Sequence, residues 1–249
     1  MNRITFLGSG GARVMLSTQV LATGGMIISL DDTHFSLDPG PGALVNIFKY
    51  NINPTDLHGI IISHRHLDHS ADVNVMIEAM TKSGLVKSGQ VFAPSDALDT
   101  DPVILRYLRK YLKEITCLLP LSNYVINNLP FTTSMPHHHG NEETYGFLFH
   151  GRNTVLGYIP DTAFFPGLLD FYKADVLVVS MLRLEKSNVL HLSVNDVEVI
   201  IKSVRPRITI LTHFGFQIYQ KGPEKIADYL EEKTGLKVIA AADGLEVDF

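Results

Sequence analysis

The stretch Gly59-Ile60-Ile61-Ile62-Ser63-His64-Arg65-His66-Leu67-Asp68-His69 constrains this chain more than any other. Its apolar, β-branched start reads as a buried strand, and the strand ends directly in four side chains able to ligate metal within six positions. Imidazole nitrogens suit zinc, iron or nickel, and a carboxylate beside them suits a harder cation. His64, His66, Asp68 and His69 therefore have the chemistry of a metal pair. One strand end cannot complete such a site, so the fold sought is one in which several strand ends converge on a rigid edge.

Three later places repeat the arrangement. The triplet His137-His138-His139 follows a strand predicted over 131–135, Asp161 follows one over 154–159, and His213 follows one over 208–211. Any one of these side chains alone would more often be structural; four strand-end coincidences argue for a shared site. Further strands are predicted at 3–7, 25–30, 35–37, 145–149, 175–179 and 237–239. Helices are predicted at 71–82, 101–114, 194–204 and 223–233, the third opening on Ser193-x-x-Asp196 and the fourth on Pro223. Gly8 to Gly11 invites a dinucleotide-binding reading, but Arg13 occupies the third glycine position and no helical pattern follows, so a tight turn is expected. Two strand-rich halves, each with helices following, predict an α/β fold of two face-to-face sheets with helices outside. With 249 residues, 45% of them hydrophobic, and no linker or repeat, one domain spanning 1–249 is expected.

Net charge is −5 at a pI near 6.1, which disfavours a phosphate backbone as a bulk partner and leaves a small phosphorylated molecule open. Cys117 is the only cysteine; it excludes an intrachain disulfide and a cysteine-based zinc site, fits a reducing cytoplasm, and is read as a small core hydrophobe. No signal-like start and no membrane-length apolar run is present, so a cytoplasmic protein is expected.

His64-x-His66-x-Asp68-His69, followed at these intervals by a His, an Asp and a His, resembles the metallo-β-lactamase-fold hydrolase superfamily over nearly the whole chain. The resemblance implies a four-layer αβ/βα sandwich and two divalent metal ions, zinc first, with manganese or iron accepted by the same donors. It implies that His64, His66 and His139 hold one ion, that Asp68, His69 and His213 hold the second, and that Asp161 bridges them. Within the triplet, His139-Gly140 with Thr144-Tyr145-Gly146-Phe147 downstream is similar to the family layout; His137 and His138 stay as alternatives. Asp38, in Leu37-Asp38-Pro39-Gly40, resembles the family carboxylate that fixes a ligating imidazole. The segments around His191-Leu192-Ser193 and Leu211-Thr212-His213 resemble the phosphodiesterase and ribonuclease Z branch. There the equivalent of His191 protonates a leaving group or steadies phosphoryl oxygens.

Two cations about 3.5 to 4 Å apart can share a hydroxide and clamp an oxygen that becomes negative. The expected activity is hydrolysis of a small phosphodiester, cyclic or open, with Asp68 and His191 as catalytic groups. A lactone or other carboxylic ester is the alternative substrate. Di-iron oxidoreductases on this fold carry a carboxylate at the second motif position, where this chain has His66, and non-catalytic relatives lose ligands that are all in place here. The expected partner is a small molecule, neither a membrane nor a nucleic acid, and the sequence gives no oligomeric state. Arg13, Tyr145, Arg183 and Lys186, in or near loops, could meet a phosphate but are read first as ordinary solvated side chains, and His34, His58 and His150 are given no role.

Overall fold

The computed structural model describes residues 2–249, with two seven-stranded sheets at its centre. The first sheet orders β1 (Arg3–Phe6), β2 (Met26–Leu30), β3 (Thr33–Leu37), β4 (Gly59–Ile61), β5 (Gln90–Ala93) and β6 (Glu114–Cys117). The second orders β7 (Asn123–Ile126), β8 (Leu129–Thr133), β9 (Phe147–His150), β10 (Val155–Ile159), β11 (Val176–Ser180), β12 (Ile208–Thr212) and β13 (Lys237–Ala240). Strand β14 (Glu246–Asp248) returns to pair with β1 at the edge of the first sheet. Each sheet is antiparallel on one side and parallel on the other, with the change at β3 in the first and at β10 in the second.

Helices α1 (Ala12–Thr18), α2 (Ala43–Lys49), α3 (Leu67–Ser70) and α4 (Val73–Met80) belong to the first half. Helices α5 (Gly167–Phe171), α6 (Val194–Val204), α7 (Phe216–Lys221) and α8 (Pro223–Thr234) belong to the second. The period-two alternation of a strand sets the layers. Ile61 turns into the core between the sheets, while Ile60 and Ile62 turn the other way, into a second cluster with Ile47 of α2 and Met76 and Met80 of α4. Between the sheets Phe35 meets Phe149 at 4.9 Å and Phe92 meets Phe131 edge-on at 5.1 Å between ring centroids. Each buried aromatic of this kind contributes about 1.5–3 kcal/mol relative to exposure. Helix α6 buries Val197, Ile200 and Ile201 on the far face of the second sheet and starts on a reciprocal cap between Ser193 and Asp196. The result is the predicted αβ/βα sandwich.

Several elements differ from the sequence expectation. No helix forms over 101–114. A wide turn at Asp96–Thr100 and a short 3-10 turn at Arg109–Tyr111 stand there instead, and β6 takes the end of the segment. The Arg109 guanidinium donates to the carbonyl oxygens of Leu98 and Ile104, acceptors that helical N–H groups would otherwise use. Ile104, Leu108 and Leu112 are buried nevertheless, which explains their helix-like spacing. The helix predicted over 71–82 forms as α4, Val73–Met80, behind the separate turn α3; Asp72 marks its start, with its N–H bonded to the Pro39 carbonyl and its carboxylate accepting from Leu44 N–H. Helix α1 follows the glycine turn although none was expected; its seven residues bury only Met15, too short a pattern to read. Cys117 is exposed on the edge strand β6, not in the core, and Tyr145 is buried, not solvated.

Candidate metal centre

Strand ends deliver the polar groups. His64 and His66 lie in the turn after β4, Asp68 and His69 on α3, His139 in the loop between β8 and β9, Asp161 past β10, and His213 past β12. His191 lies in the loop before α6. All of them come together where the two sheets meet. The donor atoms fall into groups whose members lie within 4.8 Å of one another: His64, His66 and His139; Asp68, His69, Asp161 and His213; and His139, Asp161 and His191.

Asp161 sits between the groups and is 1% exposed. Its Oδ1 lies 3.2 Å from His213 Nε2, and its Oδ2 lies 3.6 Å from His139 Nε2, 3.7 Å from His69 Nε2 and 3.9 Å from His64 Nε2. His66 Nδ1 stands 3.1 Å from both His64 Nε2 and His139 Nε2, and His69 Nε2 stands 3.1 Å from His213 Nε2.

The hydrogen bonds on the outer side of these rings decide what the inner side can hold. Asp38 accepts from Ser63 N–H at 2.7 Å, Ser63 Oγ–H at 2.7 Å, His69 Nδ1 at 2.9 Å and Tyr158 O–H at 2.8 Å. With its proton given to Asp38, Ser63 Oγ accepts from His64 Nδ1 at 3.0 Å, and the Leu190 carbonyl accepts from His139 Nδ1 at 3.3 Å. These assignments follow from the bonding network, and they place the Nε2 lone pairs of His64, His69 and His139 inward, toward the Asp161 carboxylate. A dry pocket of lone pairs and carboxylates repels itself unless positive charge enters it, so the donor set fits divalent cations. The electrostatics agree. Burial pushes the Asp161 carboxyl upward, but His213, His191 and His69 outweigh it and hold that carboxyl well below its ordinary range. Asp68, Asp38 and Asp161 pull His69 well above its ordinary value in spite of its burial, so its Nε2 takes up positive charge, from a proton or from a cation that displaces it, whereas burial holds His64 and His66 low.

Backbone geometry makes room for this packing. A Cβ on Gly11 would stand 2.1 Å from the His213 ring, and one on Gly40 would stand 2.0 Å from the Asp68 carbonyl oxygen. The glycine turn that resembles a nucleotide-binding loop thus admits the His213 imidazole. His213 adopts φ 61°, and its turn is tied to the first half by Phe214 N–H to the Ser9 carbonyl at 2.9 Å and Gly11 N–H to the Phe214 carbonyl at 3.3 Å.

The His triplet separates by direction. His137 is buried with Nε2 2.9 Å from the Tyr172 hydroxyl, His138 stacks on Phe165 at 4.3 Å, and His139 enters the cluster. His191 Nδ1 lies 3.6 Å from Asp161 Oδ2, and burial holds that imidazole low, at about 4. Three contacts were missed in the sequence: Ala12 N–H donates to Asp68 Oδ2 at 2.6 Å, Tyr158 supports Asp38, and Arg65 pairs with Glu142 and Asp101 on the rim. Tyr158 alone had a hint, as the one polar group in an apolar strand.

An αβ/βα sandwich with His and Asp donors gathered at the joint of its two sheets is the architecture of the metallo-β-lactamase fold. A family profile described as "Beta-lactamase superfamily domain" matches residues 33–214, and the chain belongs to that superfamily. An uncharacterised protein of Methanocaldococcus jannaschii is 32% identical over 98% of this chain and 94% of its own length. The metallo-β-lactamase-fold protein YhfI from Bacillus subtilis superposes with a TM-score of 0.82 at 17% identity, covering 99% of this chain and 98% of that one. A diphosphatase of the PhnP family superposes at 0.70 with 18% identity, covering 100% and 98%. Ribonuclease Z from Thermoplasma acidophilum matches a shorter stretch, 29% identical over 96 residues, 39% of this chain and 30% of that one. Family and donor set together point to divalent metal ions. Among the described residues no helix is long and apolar enough to cross a membrane.

Proposed function

We propose that this chain is a dinuclear metal-dependent hydrolase of a small phosphodiester, one catalytic domain spanning 1–249 that works in the cytoplasm with zinc in both positions. His64, His66 and His139 hold one ion, Asp68, His69 and His213 the other, and Asp161 lies between them. Bound there, the two cations supply Lewis acidity, acidifying a water molecule and neutralising charge on the substrate oxygens.

The observation that carries the phosphodiester reading is the place of His191. It lines one cleft of about 340 Å³ together with His66, Asp68, His139 and Asp161. In phosphodiester hydrolysis, negative charge sits on the two non-bridging equatorial oxygens and grows on a third, the leaving oxygen, whereas an ester carbonyl develops it on one oxygen besides the leaving one. A neutral imidazole N–H beside two cation positions gives three points of contact for those three oxygens. Asp68 is held low by His69 and His213 against its burial, which makes it an acceptor that orients the attacking water. The new bond forms between water oxygen and phosphorus, and the bond from phosphorus to the leaving oxygen breaks. The proton lost by water reaches the leaving oxygen through Asp68 and His191, giving a phosphomonoester and an alcohol. The diphosphatase similarity supports a small phosphorylated substrate, and the net charge of −5 argues against RNA.

A hydrolysis panel tests this reading. Zinc-reconstituted protein is expected to cleave bis(p-nitrophenyl) phosphate or a cyclic nucleotide and to leave a β-lactam intact. Turnover of lactones alone would overturn it in favour of ester hydrolysis.

A further inference from the structure

His191 borders two cavities. Beyond the cleft that holds the metal donors, a second space of about 430 Å³ opens between the start of α1 and the start of α7. Ala12, Arg13 and His191 line both, so the two spaces are neighbours with the His191 side chain between them. The size of the second suits a bound small molecule. Its walls are apolar at Leu182, Val189 and Phe216, and it carries two guanidinium groups, Arg13 and Arg183. No carboxylate lines it.

The two arginines stand apart from others in the chain. Arg65 and Arg152 are ion-paired and Arg109 is bonded to carbonyl oxygens, whereas the side chains of Arg13 and Arg183 have no hydrogen bond or ion pair among the described residues; Arg106, Arg205 and Arg207 are unpaired too, but they line neither cavity. Arg183 Nε is buried and still lacks an acceptor. Buried donors are almost always satisfied, and pairing this one takes a shift of the guanidinium toward an acceptor that enters the cavity. A planar guanidinium fork matches the paired oxygens of an oxyanion.

We propose that this second cavity receives the leaving half of the substrate and that this half is itself anionic. Its oxyanion binds Arg183, with Arg13 closing from the outside, and its apolar or aromatic body packs against Phe216 and Val189. The assignment rests on the phosphodiesterase reading, because His191 marks the leaving side: a group reaching past that imidazole, away from the metal donors, is the part released when the bond to phosphorus breaks. The substrate class is therefore a phosphodiester of an anionic alcohol; a diester with two neutral arms forgoes this contact, and bis(p-nitrophenyl) phosphate is cleaved by virtue of its activated leaving group alone.

The test uses two esters that differ only in the leaving arm, methyl 4-carboxyphenyl phosphate and methyl 4-carbamoylphenyl phosphate. The amide is the intrinsically better leaving group, so a preference for the carboxylate must come from the protein. Zinc-loaded wild type is expected to favour the carboxylate at least tenfold in kcat/KM, largely through KM. Arg183→Met should bring that ratio to within twofold, and Arg13→Met, at an exposed side chain, should lower it at least threefold. Ligand-observed NMR titration with 4-hydroxybenzoate, against 4-hydroxybenzamide, reads the cavity without turnover. Arg183→Met should weaken binding of the acid at least fivefold and leave the amide as it is. Equal rates on the two esters in wild type, or a preference that survives both substitutions, would overturn the inference. Should neither ester be cleaved, the phosphodiesterase reading fails and the titration decides the cavity by itself. Acid binding that depends on Arg183, or on Arg13 where the Arg183 variant does not fold, upholds the anion site, and binding independent of both removes it.

Discussion

At the scale of single residues, Asp161 and Gly11 are the sharpest points of the site, one by charge and the other by the lack of a side chain. Asp161 faces both donor groups, and His66 lies at 3.1 Å from two other imidazoles. Asp161→Ala and His66→Ala are each expected to lower bound zinc, measured by elemental analysis, and to cut kcat/KM on the order of 10³-fold, several kcal/mol of lost stabilisation. Gly11 has an extended backbone that any residue adopts, with φ −154°, so the conflict of an added methyl is purely with the His213 ring 2.1 Å away. Gly11→Ala should displace that imidazole and cost about 10²-fold in kcat/KM while the melting temperature moves by only a few degrees. Circular dichroism melts beside kinetics would separate these effects. The donors were legible because each follows an apolar strand, a pattern of types and positions that sequence carries directly. The role of Gly11 was not: its meaning lies in a ring 202 positions further along. Nor was the Ala12 amide, because a backbone donor has no letter of its own.

Elements repeat the lesson with a different cause. Strands β4, β10, β11 and β12 are β-branched and mostly apolar runs buried over nearly their whole length, and helices α6 and α8 have caps that name their ends, so each was readable. The segment 101–114 misled because Ile104, Leu108 and Leu112 bury at helical spacing while Arg109 satisfies the carbonyls, a tertiary contact that overrides local pattern. Between β3 and β4, His58 Nδ1 accepts from His34 N–H at 3.1 Å and needs its neutral form to do so. Burial holds His58 below its ordinary value. A base lowered on folding has no effect on stability above its unfolded value, near 6.5, and destabilises as pH falls through 6.5 toward the folded value. His58→Asn keeps an acceptor without a titrating proton. The loss of melting temperature between pH 7.5 and 5.5 is expected to be smaller in that variant than in wild type, and an equal loss would assign the acid sensitivity elsewhere.

Across the whole molecule, neither sheet owns the site. The first contributes His64, His66, Asp68 and His69, and the second contributes His139, Asp161 and His213. A ligand bound only by the folded form stabilises it by about 4 kcal/mol at a thousandfold excess over its Kd. For a chain of this size that corresponds to roughly 8–16 °C in melting temperature. Chelation is therefore expected to lower the melting temperature of wild type by about that amount, with recovery on adding zinc, and to leave Asp161→Ala almost unmoved; calorimetry in both states checks it. The interleaving of donors also gives the bound ions a diagnostic use. A chain whose sheets have formed but not docked presents each donor set incomplete, so it would release an ion that the docked chain retains. In a refolding mixture, tightly held zinc would be a census of correctly assembled molecules, counting the docking of the two halves where far-ultraviolet spectra, which register secondary structure alone, would count both kinds alike.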